Sequence, residues 1–316
     1  MKIVIVGYGE MLQALIMGVL KTKHEIVGVL RHDKVLLNPL SSKINDFLKP
    51  SMDYNLVKTL RLNDINVKSV NSPEFRSELK RLKVDLVLVG SWSEKFSMQT
   101  INTPKYGCVN THPSLLPKYR GPNPYIHVLL NNEKESGITF HSMDVNYDTG
   151  SILHQATVNV QKNDTGMSLK LRCCDLAQQE VVSLLKDFKK KLSKPKSQNE
   201  KIATYQHQLH LSECILNFEK ETTTQIDRRI RALTPWTKTF IPYKNQFLEF
   251  ETYKIYNKPC DKSSSQIIRI TEKSIFIVCA DKKVIEFSGL KFKLPLLNLF
   301  GNFVLHKFVK LNSKAV

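Results

Sequence analysis

Asn110, His112 and Asp148 are the side chains whose types and spacing point most directly to chemistry. Asn110 and His112 sit two apart in Cys-Val-Asn-Thr-His, a strand-like run that Pro113 and Pro117 then stop. Period-2 alternation puts both on one face at the strand tip, which is where open α/β sheets place their ligands. Asp148 follows after 35 intervening residues, in an Asp-Thr-Gly turn that can return a carboxylate to that tip. An amide, an imidazole and a carboxylate suit acyl transfer to an amine. The amide stabilises an oxyanion, the imidazole handles the amine proton, and the carboxylate orients the imidazole and favours its charged form. Taken singly, an asparagine at a strand end is a turn former and a lone histidine is a packed residue.

Positioning such groups takes a sheet. Residues 2–7 read as a first strand, Gly7-Tyr8-Gly9 as a turn, and Met11, Leu12, Leu15, Ile16 and Val19 as the apolar face of a helix. Gly7-x-Gly9 is half of a dinucleotide fingerprint, but Leu12 stands where its third glycine belongs, so a tight turn is the better reading. Residues 24–30 are a second strand and 31–53 a polar stretch. A helix over 56–62, a short strand over 67–70 and a helix over 73–82 follow. Residues 84–89 are uninterrupted apolar, as in a parallel strand buried on both faces. Strands over 138–143 and 151–160, and a helix after Asn163-Asp164-Thr165, complete an α/β half with a Rossmann-like, mostly parallel sheet.

Beyond it the pattern changes. Residues 186–198 are lysine-rich, a helix over 223–233 turns Ile226, Ile230 and Leu233 inward, and short strands follow near 237–242, 246–256, 266–271, 273–279 and 283–292. Clustered short strands after an α/β half indicate a separate small β-barrel. The expected organisation is a catalytic domain over 1–190, a basic linker over 191–204 and a barrel over 205–316. The length of 316 residues suits two cores. The opening Met1–Gly7 run reads as a strand, not a signal peptide, and no segment is apolar for long enough to span a bilayer. Six cysteines without metal-like spacing read as buried reduced thiols, which suits a cytoplasmic protein. The net charge of +18 suits a polyanionic partner, although a lysine-rich composition alone also produces it.

The segment 107–121 resembles the folate-dependent formyltransferase family. The matching pieces are Asn110-Thr111-His112, Ser114-Leu115-Leu116-Pro117, Arg120-Gly121, and Met143-Asp144 leading to Asp148-Thr149-Gly150. The resemblance implies that Asn110, His112 and Asp148 are catalytic, that the co-substrate is 10-formyltetrahydrofolate, and that no metal is needed. It also implies folate contacts from Leu88, Gly90, Trp92, Ser114, Leu115, Leu116, Pro117 and Asp144. His141 and Cys108 match no required role and read as packing.

Ala203-Thr204-Tyr205, Phe218 and Ile230-Arg231-Ala232-Leu233-Thr234-Pro235-Trp236 resemble the C-terminal barrel of the family's tRNA-directed members. By that resemblance the acceptor is the amino group of initiator methionyl-tRNA, with Arg31, Lys34, Lys43 and Arg120 as acceptor contacts. His112-Pro113-Ser114 and the run from Arg120 to Tyr125 resemble the sugar-directed members instead, making an amino-sugar nucleotide the alternative. A monomer that does not engage membranes is expected.

Overall fold

Strand β1 (Lys2–Gly7) is buried from Ile3 onward and runs between two neighbours, β2 (Glu25–Arg31) and β3 (Leu86–Gly90). The computed structural model describes residues 1–31, 51–244 and 246–293. Lys34, Lys43 and the 294–316 tail lie outside the described residues. The chain forms two compact units. The first comprises residues 1–128, 133–161 and 168–208; the second comprises 129–132, 162–167 and the described residues from Leu209 on.

The first unit is built on a six-stranded sheet of order β2-β1-β3-β4-β5-β6, with β4 at Cys108–His112, β5 at Glu135–Ser142 and β6 at Ile152–Asn159. The four strands from β2 to β4 are parallel, whereas β5 runs antiparallel to both β4 and β6. The expected parallel character therefore holds only up to β4. The reason is visible in β6, which alternates half-buried and exposed from His154 on. Such a strand has one solvated face, which antiparallel pairing tolerates and a doubly covered parallel sheet does not.

Gly7 ends β1 because a Cβ there would lie 2.1 Å from the Gly90 carbonyl oxygen of the neighbouring strand. Helix α1 (Gly9–Val19) starts at once, and the Asp53 carboxylate accepts from the Gly9 N–H at 2.7 Å and from Gln13 Nε2 at 2.8 Å. A side chain of the protein itself thus occupies the anion-attracting end of that helix, in keeping with a turn and not a phosphate cradle.

Helix α2 (Met52–Thr59) begins four residues before the expected start, where Ser51 caps it by accepting from Tyr54 N at 3.0 Å. Helix α3 (Pro73–Arg81) is capped by Ser72, with Pro73 in its first turn. No strand forms over 67–70. Instead Asn63–Ile65 lie along β2, exchanging two main-chain bonds of 2.8 Å with Val29. Two short helices follow in sequence, α4 (Met98–Ile101) and α5 (Pro124–Leu130). Next come α6 (Gly166–Lys186), whose Leu169, Cys173, Val181 and Leu184 are buried, and α7 (Phe188–Ser193).

Residues 191–204, expected as a linker, are held on the first unit by specific pairings. Lys196 exchanges main-chain bonds of 2.9 and 2.8 Å with Ile152, and Thr204 pairs with the loop after β4. Lys194, Lys196 and Lys201 are exposed, but main-chain bonding ties the segment down.

The second unit contains α8 (Thr223–Leu233), closed at its start by a Thr222/Gln225 capping box. Two antiparallel sheets share a core of Phe218, Ile226, Ile230, Leu248, Ile277, Ile285 and Phe287. One sheet holds β9 (Thr252–Tyr256), β10 (Ile267–Ile270), β11 (Ser274–Val278) and β12 (Val284–Ser288). The other holds β7 (Ile241–Tyr243), β8 (Gln246–Glu249) and β13 (Lys291–Lys293). The expected single strands over 246–256 and 283–292 each break in two, because β8 to β9 and β12 to β13 turn a corner from one sheet to the other. Gly289, at φ +71°, makes the second corner. This architecture is consistent with the expected small barrel. Arg229 and Arg231 on α8 pair with Glu221 and Asp227 at 2.7 Å. Among the described residues, no helix is long and apolar enough to cross a membrane.

Candidate active site

Strand β4 carries Asn110 and His112 on one face, as the alternation requires, at the C-terminal end of the sheet. His112 is 5% exposed and Asn110 half-buried. The loop between β5 and β6 returns Asp148 to them. Asp148 adopts the left-handed conformation, φ +58°, and Gly150 follows where a Cβ would lie 1.6 Å from the Ser142 carbonyl oxygen. Asp144 shapes the start of this turn, accepting from Asn146 N at 2.8 Å and Thr149 Oγ1 at 2.7 Å.

Four groups converge on the Asp148 carboxylate. Asn110 Nδ2 donates to Oδ1 at 3.1 Å, the Gly121 N–H donates to Oδ2 at 2.9 Å, and His112 Nδ1 and His141 Nε2 each lie 3.5 Å from Oδ1. The structure therefore brings together the three expected residues and adds His141, which the sequence reading left as packing. His141 faces Asn110 directly across the antiparallel β4–β5 ladder, with Nδ2 and Nε2 3.1 Å apart. Only that register reveals it.

The partners settle the tautomers. A carbonyl only accepts, so His112 Nε2, 2.7 Å from the Tyr119 oxygen, carries a hydrogen. By the same argument His141 Nδ1 donates to the Ser142 carbonyl at 3.0 Å, while its Nε2 lies 3.1 Å from Asn110 Nδ2 and 3.5 Å from Asp148 Oδ1. Nδ1 is the edge of His112 that can receive a proton, and Asp148 lies beside it.

Burial pushes the His112 imidazole below its ordinary value, an effect that Asp148 and the Tyr119 carbonyl partly offset. Burial alone would raise the Asp148 carboxyl, but His112, His141 and the Gly121 N–H outweigh it and hold it well below the carboxylate range. Asp148 is therefore ionised at neutral pH. His112 is the free base there.

Arg120, expected among the acceptor contacts, is 0% exposed. Its guanidinium donates to Gln198 Oε1 at 2.8 and 3.1 Å and to both Glu200 oxygens at 2.6 and 2.9 Å, and it also bonds the Tyr205 hydroxyl. It braces the loop and does not reach outward. Arg31 is likewise 0% exposed and paired with Asp64 at 3.0 Å. A buried guanidinium is stable only with such partners, which is why neither is free for an acceptor.

The expected folate contacts divide in the same way. Leu88 is fully buried in β3, with strands on both edges, and Gly90 packs against Met11 and Leu15. Ser114 and Leu116 are buried, and the Leu116 N–H and C=O are bonded to Thr139 Oγ1 at 3.2 Å and Gln155 Nε2 at 3.0 Å. Leu115, Pro117, Trp92 and Asp144 keep partly exposed surface. The Tyr147 hydroxyl donates to the Ser93 carbonyl at 3.1 Å, joining the loop after β3 to the loop that carries Asp148.

Cys108 is buried and its thiol pushed up by burial, as is Cys174, to about 12, so neither is a nucleophile at neutral pH. Among the described residues no group of three or more His, Cys, Asp and Glu side chains could hold a metal ion. An open groove of about 830 Å³ lies on the second unit, lined by Tyr256, Lys262, Arg269 and Phe276. It contains none of the converging groups, and the candidate site is the buried cluster because that is where the perturbed side chains are.

Residues 1–185 match the family described as "Formyl transferase", and residues 208–294 match "Formyl transferase, C-terminal domain". A methionyl-tRNA formyltransferase of Francisella philomiragia is 30% identical over 234 residues, 74% of this chain and 73% of that protein. One from Acinetobacter baumannii is 27% identical over 305 residues, 92% of each. Among solved structures, an N-formyltransferase from Helicobacter canadensis, in complex with folinic acid and dTDP-3-aminofucose, superposes with a TM-score of 0.63. It is 18% identical, over 91% of this chain and 99% of that one.

Proposed function

The chain belongs to the formyl transferase family, and from that premise we propose that it moves the formyl group of 10-formyltetrahydrofolate to the amino group of initiator methionyl-tRNA. The observation that carries the chemistry is the convergence of Asn110, His112 and His141 on one buried, ionised carboxylate. Two features support the acceptor: the C-terminal match over residues 208–294 and the methionyl-tRNA formyltransferases that align with 74% and 92% of the chain. The enzyme would be cytoplasmic, monomeric and independent of metals.

In this reading the amine nitrogen attacks the formyl carbon, a C–N bond forms, and the carbonyl oxygen becomes an oxyanion. Asn110 donates one amide hydrogen to it. The other amide hydrogen keeps its charge-assisted bond to Asp148. The amine proton passes to His112 Nδ1, and Asp148 stabilises the imidazolium so formed. The oxyanion collapses, the bond to folate N10 breaks, and N10 takes the proton held on His112 Nδ1, which returns the imidazole to its free base. Folate would lie against Leu115, Pro117, Trp92 and the 144–149 loop.

An amino-sugar nucleotide is the second acceptor, favoured by Pro113 and by the Arg120–Tyr125 run. The burial of Arg120 gives that run a bracing role and weakens its bearing on substrate choice. A paired turnover assay with 10-formyltetrahydrofolate, offering initiator methionyl-tRNA in one vessel and amino-sugar nucleotides in another, separates the two. Transfer to the tRNA, with an apparent KM that climbs as salt rises from about 50 to 200 mM, is expected. Transfer to a sugar alone, or a flat salt response, refutes the tRNA reading.

The pH dependence has a definite sign. The active form needs His112 unprotonated and Asp148 ionised, and the His112 imidazole lies below 6.5. The value of kcat/KM is therefore expected to climb with pH on a limb centred below 6.5, as His112 sheds its proton, and then level off. A limb centred above 7 in a steady-state pH profile contradicts His112 as the base.

A further inference from the structure

We infer that Gln198 is a positioning residue for the transfer chemistry, holding the main chain of Asp148 so that its carboxylate stays aimed at His112. The inference rests on the role proposed above for that pair. Gln198 follows α7, in the lysine-rich segment expected as a linker. Its Nε2 donates to the carbonyl oxygens of Asp148 at 2.8 Å and Gly150 at 2.7 Å, while its Oε1 accepts from Arg120 Nε and Nη2. Asp148 is a non-glycine residue in the left-handed region, at φ +58°. That conformation persists only where neighbouring groups over-determine it. Gln198 is the side chain that grips both carbonyls of this turn.

The chain beyond Gln198 reaches the other side of the same pair. Thr204 Oγ1 accepts from Tyr119 N at 2.8 Å, and Tyr119 O is the partner of His112 Nε2. The Thr204 carbonyl accepts from Arg120 N at 2.9 Å, and Gln206 N donates to the Arg120 carbonyl at 2.8 Å. Gly121, whose N–H holds Asp148 Oδ2, sits at φ +97° with room for no Cβ, because the Gln206 carbonyl oxygen would be 2.4 Å away. Residues 198–206 therefore act as a strap. They touch the backbone of Asp148, the donor to its carboxylate and the acceptor for His112.

Two variants separate this role from simple bracing. Gln198→Ala removes all four bonds. Gln198→Glu keeps an acceptor for Arg120 but sets carboxylate oxygens against the carbonyls of residues 148 and 150. If Gln198 served only Arg120, the glutamate variant would behave as wild type. The readout is the titration of the His112 ring by NMR in the full-length protein, assigned by comparison with His112→Asn. The titratable groups facing His112 are Asp148, whose charge raises its midpoint, and His141, whose charge lowers it. Release of the Asp148 carboxylate is expected to lower the His112 midpoint by about half a pH unit or more in Gln198→Ala, which adds no charge of its own. Turnover should fall at least about tenfold in kcat, with the KM for the formyl donor within about threefold. An unmoved His112 midpoint in Gln198→Ala overturns the inference whatever turnover does, as does a Gln198→Glu enzyme within about threefold of wild-type kcat. Wild-type protein that formylates neither acceptor would instead defeat the proposed function, and the titration would still decide the role of Gln198.

Discussion

Replacing His112 with Asn is expected to lower kcat by about 10²- to 10⁴-fold, the range over which a positioned general base contributes. Asparagine can offer an N–H to Asp148 or to the Tyr119 carbonyl, so the variant keeps a polar partner in a pocket where His112 is 5% exposed. What it cannot do is accept a proton. Affinity for the formyl donor, measured by fluorescence titration, should stay within about threefold, since the base acts after binding. The low-pH limb of the rate profile should vanish together with the imidazole that produces it. Single-turnover rates within about fivefold of wild type would remove His112 from the mechanism. A melting temperature close to wild type is the control that the fall is chemical.

Replacing Asn110 with Ala is expected to cost about 10²- to 10³-fold in kcat, which is about 3–4 kcal/mol of transition-state stabilisation for one oxyanion donor. A second substitution sharpens the test. Asn110→Asp is nearly isosteric, yet it sets a carboxylate where Nδ2 now lies 3.1 Å from Asp148 Oδ1. Two carboxylates that close cannot both stay ionised, so one takes up a proton near neutral pH. The aspartate variant should therefore lose at least as much rate as the alanine variant and acquire an acid-favoured component in its pH profile. If Asn110 only ordered Asp148 in the resting site, the alanine variant would lose no more than the roughly tenfold in kcat expected when Gln198 releases that residue. A loss of about 10²-fold or more in kcat, with donor KM within about threefold, separates the oxyanion role from simple ordering.

Much of this protein is legible in its residues. The buried run over β3, the apolar face of α1 and the capped start of α8 are local patterns with local causes. Alternation along Cys108–His112 needed no tertiary information to place Asn110 and His112 on one face. Other features were not legible for physical reasons. Val67 and Val70 suggest a strand by composition, but Asn63–Ile65 already occupy the edge of β2 and leave no ladder for them. Phe250 and Leu290 continue apolar runs, and only closure between two sheets forces the chain to bend there. The basic charge of Arg31 and Arg120 suggested outward contacts, whereas both guanidiniums are enclosed with carboxylate partners.

The amino-acid sequence by itself determined the family resemblance, the α/β half followed by a strand-rich half, and the choice of Asn110, His112 and Asp148 as candidates, because ordered motifs and short-period patterns are written in consecutive residues. Only the tertiary structure decided that β5 runs antiparallel to β4 and so sets His141 beside Asn110. It alone showed Arg120 as a brace, and Gln198 and Thr204 as residues that reach back to the site. Those facts depend on register and on contacts between residues 31 to 85 positions apart along the chain. Such contacts are set by how the elements pack, and neither spacing nor composition carries them.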